Sequence, residues 1–263
     1  MNRSYREMAQ DFHDTVQRIQ EEEYSFPYHY ISKFLGGGFT QHFSDSWGIN
    51  YVSTIEFLLD KISGCSPASV IDIGCGDGRF TRELACRFGG ARLCGVDYSE
   101  KAINLARAMN QDKPDIEFMA CDITRPREQE GFDAAVLMEV LEHIPLQSVP
   151  LFLGSVRRLL KDSGHLYITV PHVNKPLEEK HYQHFSIHSL EQQLGDDFSI
   201  VDIIPFERRA LARRLVHALL ANRLFVLNNR RLLSLVYKWY KEHLFDCRGE
   251  QHCQRLYVEA VPK

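Results

Sequence analysis

No uninterrupted apolar run in this sequence approaches the roughly 18 residues that a membrane-spanning helix needs. The opening Met-Asn-Arg-Ser-Tyr-Arg-Glu carries no apolar core of an export signal, so the expected location is cytoplasmic. Positive charge is not in excess: the formal net charge is −4, which argues against a generic nucleic-acid coat. Cysteine is present without a framework. Its seven positions, Cys65, Cys75, Cys86, Cys94, Cys121, Cys247 and Cys253, are odd in number and include no C-x-x-C pair. They read as reduced, buried small hydrophobes and exclude a disulfide scaffold or a cysteine zinc site. Internal repeats and low-complexity segments are also missing. What remains is an ordinary globular composition, 263 residues with 44% hydrophobic and 25% charged, enough for one domain with additions.

The stretch that organises the chain is Val70 to Phe80, Val-Ile-Asp-Ile-Gly-Cys-Gly-Asp-Gly-Arg-Phe. A β-branched run is followed at once by Gly74, Gly76 and Gly78 and then by a helical pattern, so a buried strand turns sharply into a helix. Glycine there lets backbone approach a ligand closely and take positive φ. A dinucleotide fingerprint spaces its glycines as G-x-G-x-x-G. Here the third comes one residue early, with Asp77 inside the loop and Asp72 before it. Two carboxylates repel a pyrophosphate and suit a ligand bearing an ammonium and a sulfonium. A nicotinamide dehydrogenase is therefore disfavoured. On these residues the chain resembles motif I of the class I S-adenosylmethionine-dependent methyltransferases. That resemblance implies S-adenosylmethionine as cofactor, with Asp72, Gly74, Cys75, Gly76 and Gly78 lining its site.

The spacing predicts a helix over Tyr51 to Ile62 ahead of this loop and a second strand, Ala91 to Val96, ending at Asp97, with Asp97 and Tyr98 expected at the cofactor. An acidic residue about twenty residues past the loop can accept hydrogen bonds from both ribose hydroxyls. Ser99 is a helix cap, and Ile116 to Met119 a third strand leading to Asp122 and Ile123. The resemblance implies that Asp122 accepts the adenine amino group and Ile123 packs on the ring; a loop-capping aspartate is the alternative. Phe132 to Met138 is a fourth strand that runs into Glu139-Val-Leu-Glu-His143. If these five form one helical turn, Glu139, Glu142 and His143 point the same way. Such a set is either a divalent-metal site or an acid–base cluster. A fifth strand, Gly164 to Val170, precedes a loop holding His172, His181 and His184 and a cap at Ser186.

At this point the resemblance extends to two metal-dependent branches, the ubiquinone-biosynthesis O-methyltransferases and the small-RNA 3′-terminal 2′-O-methyltransferases. It implies a magnesium, manganese or zinc ion held by Glu139, Glu142, His143 and His181, with His184 as the alternative to His181. Glu139 is also expected beside the cofactor. Glu142 and His143 are the expected catalytic residues; without metal, His143 is the general base.

The expected fold is α/β, a Rossmann-like seven-stranded, mostly parallel sheet with helices on both faces. Phe198 to Ile204 and Arg255 to Val261 supply its last two strands, the final one antiparallel. Four regions are expected: an aromatic N-terminal lid over 1–50, a core over 51–206, a basic helical insertion over 207–247 and the terminal strand over 248–263. The lid reading rests on the aromatics from Tyr24 to Tyr51 around Gly36, Gly37 and Gly38. Residues 207–247 hold nine Lys or Arg against three Asp or Glu, leaving −10 on the remainder. Substrate capping, a homodimer contact and peripheral membrane contact all remain open for that insertion. The expected reaction is methyl transfer to a hydroxyl of a small molecule or sugar. Alternatives are RNA 2′-O-methylation, nitrogen or carbon methylation without metal, and a non-catalytic partner subunit.

Overall fold

The computed structural model of the chain describes residues 13–19, 21–22, 46–125, 131–221, 224–225, 227 and 229–263. Most of the aromatic segment expected as a lid, including the glycine triplet, lies outside the described residues. Residues 13–19 are helical. Their Val16 is buried, and His13 hydrogen-bonds the Tyr182 hydroxyl.

Seven strands form one sheet: β1 (Ser69–Ile73), β2 (Arg92–Asp97), β3 (Ile116–Ala120), β4 (Phe132–Met138), β5 (Leu160–Pro171), β6 (Phe198–Arg208) and β7 (Cys253–Pro262). Their order is β3-β2-β1-β4-β5-β7-β6. The pairs from β3 through to β5 are parallel, and β7 runs antiparallel to both β5 and β6. The strand order reverses at β1, where the crevice at the carboxyl ends of β1 and β4 opens for a ligand.

Alternate residues of β4 show why this strand sits at the centre. Ala134 and Val136 pack into one apolar cluster while Ala135 and Leu137 pack into another on the opposite face. Period-two burial on both faces is the signature of a covered parallel strand. One cover is built from helices α4 (Val149–Leu159) and α5 (Ile187–Leu194), whose Phe152, Leu153, Val156, Leu190 and Leu194 fill the Ala135–Leu137 face. The other comes from α1 (Ser46–Ser63), α2 (Arg79–Arg87) and α3 (Glu100–Met109), through Leu58, Ile62, Leu84 and Ile103. Helix α1 begins five residues before the predicted Tyr51. Ser99 caps α3 by accepting from the Ala102 N–H at 3.3 Å, and Ser186 opens α5 with a capping box.

Between β6 and β7 the chain makes α6 (Leu211–Leu220) and α7 (Arg230–Tyr240), the latter capped by the Asn229 side chain. All seven cysteines are free; Cys86 is exposed, against the expectation of burial. Among the described residues no helix is long and apolar enough to cross a membrane.

Candidate active site

The glycine loop is tied to its neighbours by backbone. Gly74 and Cys75 N–H groups both donate to the Val96 carbonyl, at 2.7 and 3.0 Å, as β1 ends beside β2. Gly74, Gly76 and Gly78 all take positive φ, between 54° and 76°. At Gly74 the requirement is also steric, because a Cβ there would stand 2.6 Å from Val140 Cγ2. The loop after β4 thus packs directly on the glycine loop.

Asp97 bridges the end of β2 to this loop. Its Oδ2 accepts from the Gly76 N–H at 2.9 Å and its Oδ1 from the Ser99 N–H at 2.8 Å. Burial raises its pKa above the usual carboxylate range. Each carboxylate oxygen retains a second lone pair, which is what two ribose hydroxyls need. Asp72 is buried and accepts from Thr81 Oγ1 at 2.6 Å; burial pushes its pKa up to about 7. Cys75 is buried too, its thiol pushed upward by the same burial. Tyr98 is exposed. Asp122 Oδ1 accepts from both the backbone N–H (2.9 Å) and the hydroxyl (2.6 Å) of Thr124, closing its own turn. Those bonds hold its pKa below the usual range. Ile123 packs partly against the apolar core.

The turn after β4 departs from the single helical turn that the spacing predicts. Glu139 takes a left-handed backbone (φ 59°), and only Leu141–His143 form a 3-10 turn. Glu139 consequently swings away from Glu142 and pairs with Arg255 of β7. Arg255 Nε also donates to Glu207 at 2.7 Å, and Glu207 pairs with Arg213 of α6 at 2.6 Å. Sequence reasoning missed this chain of charges, since nothing in local spacing links β4, β6, β7 and α6.

Glu142, His143 and His181 do come together, each offering a ligand atom within 4.8 Å of the others. The histidine loop is held against the turn because Tyr182 N–H donates to the Glu142 carbonyl at 2.8 Å. His143 Nδ1 donates to the Lys180 carbonyl at 3.0 Å. His184 Nδ1 donates to the Lys175 carbonyl (3.2 Å), so its Nε2 accepts from His181 Nδ1 (2.8 Å). A carbonyl only accepts, so these partners fix both tautomers and put the lone pairs of His143 and His181 on Nε2. Burial and neighbouring His143 lower the His181 pKa to about 3, keeping the ring neutral. His184 is thereby an outer partner of His181. His172 is held elsewhere, by Glu250 at 3.1 Å.

The Glu142 carboxylate is the anomaly. It is fully buried, and neither oxygen has a hydrogen-bond partner among the described residues. Burial pushes its pKa up to about 8. A buried carboxylate with two imidazoles beside it could hold a divalent cation, the Lys180 carbonyl orienting His143 and His184 orienting His181.

Residues 70–164 match a family described as a methyltransferase domain. The ubiquinone biosynthesis O-methyltransferase of Nitrosomonas europaea is 33% identical over 121 residues, 44% of this chain and 48% of that protein. The chain spans about half the length of the curated relatives it matches. Two solved structures share its fold. One is the N-methyltransferase NodS from Bradyrhizobium japonicum in complex with S-adenosylhomocysteine, with TM-score 0.59, 15% identity and coverage of 95% of this chain and 98% of that one. The other is the 1,6-didemethyltoxoflavin-N1-methyltransferase of Burkholderia thailandensis, with TM-score 0.59, 17% identity and coverage of 100% and 92%. Residues 70–164 thus match a methyltransferase domain, and the sheet order and glycine loop are those of the class I S-adenosylmethionine-dependent methyltransferase fold. Within that class, its similarity in sequence is to the ubiquinone biosynthesis O-methyltransferases, over less than half of this chain.

Proposed function

We propose that the chain transfers the methyl group of S-adenosylmethionine to a hydroxyl oxygen, beside a divalent cation held by Glu142, His143 and His181. The observation that carries this reading is the Glu142 carboxylate, buried without a donor. An ionised carboxylate in that position is strongly disfavoured unless a cation neutralises it. Two imidazoles with the carboxylate suit manganese, iron or zinc better than magnesium. Glu139, engaged with Arg255, is left out of the ligand set.

When bound, the ion would lower the pKa of an acceptor hydroxyl. The remaining work belongs to this chain's own residues. Gly74, Gly76 and Gly78 admit the donor to the crevice, Asp97 takes its ribose, and Asp122 and Ile123 take its adenine. Val140, packed on Gly74, sets the spacing between the donor loop and the Glu142 turn. Holding donor and acceptor in line about 3 Å apart supplies most of the rate. The oxygen–carbon bond forms as the sulfur–carbon bond breaks, its electron pair stays on sulfur, and the hydroxyl proton leaves to water. An acceptor with adjacent hydroxyls, a catechol or a sugar, fits this arrangement best.

The test is calorimetric titration of manganese, zinc and magnesium salts into chelator-stripped protein saturated with S-adenosylhomocysteine, with Glu142→Ala as control. Saturable binding at one site, lost in the variant, is the expected result. Absence of binding with every ion, while S-adenosylhomocysteine binds, would overturn the metal reading. It would leave His143, its Nδ1 donating to Lys180, as general base for an oxygen or nitrogen acceptor.

A further inference from the structure

The α6–α7 hairpin exposes more apolar surface than any fold role requires. Leu215 is 74% exposed and Leu235 66%, with Leu211, Leu232 and Trp239 also open to solvent. Leu215, Leu219, Leu235 and Trp239 line a shallow groove of about 310 Å³ between the two helices. On α7 the positions 232, 235 and 239 follow helical spacing and make one stripe. Arg231 and Lys238 flank that stripe, and Arg214 flanks Leu211 and Leu215 on α6. All three cations are exposed and make no ion pair among the described residues. Elsewhere in the structure the exposed arginines Arg87 and Arg92 are each paired with an acid, while exposed Arg158 donates to Ser155. On the hairpin, three cations without an ion pair among the described residues stand beside open leucine and tryptophan.

We propose that this hairpin is a docking surface for an anionic phospholipid bilayer. Leucine and tryptophan enter the headgroup–acyl boundary while arginine and lysine at the rim meet lipid phosphates, the composition of an interfacial amphipathic segment. A symmetric contact between two copies through the same face would bring two faces carrying Arg214, Arg231 and Lys238 against each other. Nucleic acid would match the cations and leave the leucine stripe in water.

The hairpin is fixed at the active-site edge of the sheet. Arg213 of α6 pairs with Glu207, near the carboxyl end of β6, and the charge chain runs on through Arg255 to Glu139 at the tip of β4. A molecule resting on α6 and α7 therefore keeps its Glu142 crevice beside the membrane surface. Docking itself does not depend on the methyl-transfer reading.

The experiment is co-sedimentation of the full chain with vesicles of phosphatidylcholine alone and of phosphatidylcholine mixed with phosphatidylglycerol. Binding is expected to the mixed vesicles only and to weaken as salt rises. In a Trp47→Phe background, Trp239 is the remaining tryptophan, and its emission should shift to the blue on binding. Leu215→Glu with Leu235→Glu should abolish binding. Arg231→Ala with Lys238→Ala should lower it by roughly tenfold or more, about 1 kcal/mol for each basic residue. Both double variants should bind S-adenosylhomocysteine as the parent does, which separates lost docking from lost folding. Failure to bind mixed vesicles, equal binding to neutral ones, or parent-like binding by either double variant would overturn the proposal. So would a dimer dissolved by the leucine variant, or RNA binding lost with the cation variant, in the absence of vesicle binding.

Discussion

At the carboxyl ends of β1, β2 and β3 each carboxylate of the crevice is tied to a donor from the protein: Asp72 to Thr81, Asp97 to Gly76 and Ser99, Asp122 to Thr124. At the end of β4 the Glu142 carboxylate has none. The first set spends its hydrogen bonds on backbone shape, holding loops that a donor molecule then enters. The second is a buried carboxyl that burial keeps protonated near neutral pH unless a cation neutralises it. On the proposed function, one half of the crevice is finished by folding and the other by a ligand.

Glu142→Ala strikes this contrast hardest. It should remove cation binding and lower turnover by at least about 100-fold, more than the loss typical of an outer partner, while S-adenosylhomocysteine affinity stays unchanged. Glu142→Gln should separate charge from shape. With a folded pKa near 8 against an ordinary 4.5, Glu142 binds its proton more tightly when folded. Stability of the metal-free protein is then fully present below the ordinary carboxylate range and falls as pH rises through 8. Thermal melts should show that fall in the parent, its reduction in Glu142→Gln, and its reversal by manganese in the parent. A fall of equal size in both proteins would mean that Glu142 is not the buried acid.

Asp97→Ala attacks the finished half. It removes hydrogen bonds to a charged group and should weaken S-adenosylhomocysteine by about 1.5–3 kcal/mol in a calorimetric titration. Cation affinity should remain. Loss of both together would show that the two halves are one cooperative unit. His184→Ala tests the opposite side: His181 loses the acceptor that orients its Nδ1–H, and cation affinity should fall by about tenfold, at the low end of outer-partner effects. Nucleoside affinity should not move.

The finished half was the more legible in sequence, for a physical reason. Glycines at positive φ, the Ser99 cap and an aspartate at a strand end are local devices, each encoded within a few residues of where it acts. The helical spacing of Leu211, Leu215 and Leu219, and of Leu232, Leu235 and Trp239, likewise marked α6 and α7. The sequence offers His181 with His184 as its alternative; in the structure His181 lies beside Glu142 and His143, and His184 hydrogen-bonds it. Glu139 shows where local reasoning stops. Its i, i+3, i+4 relation to Glu142 and His143 assumes a regular turn, and the left-handed backbone at Glu139 breaks it. What turns the side chain away is Arg255, 116 positions along the chain, brought alongside by the antiparallel β5–β7 pairing. No spacing rule reports a cross-sheet ion pair.

Asp122 gives the finest test of the contrast, because its two roles leave different traces. Its Oδ1 already closes the Thr124 turn, so Asp122→Ala should lower the melting temperature, in line with at most about 1.5–3 kcal/mol for hydrogen bonds to a charged group at a partly exposed site. If the carboxylate also receives the adenine amino group, S-adenosylhomocysteine affinity falls by roughly ten- to 150-fold, the same energy read as binding. S-inosylhomocysteine, which carries an oxo group in place of that amine, distinguishes the cases. The parent should bind it more weakly than S-adenosylhomocysteine, and Asp122→Ala should bind the two alike. A variant that weakens both nucleosides equally would reduce Asp122 to a turn-closing residue and leave Ile123 as the adenine contact of this loop.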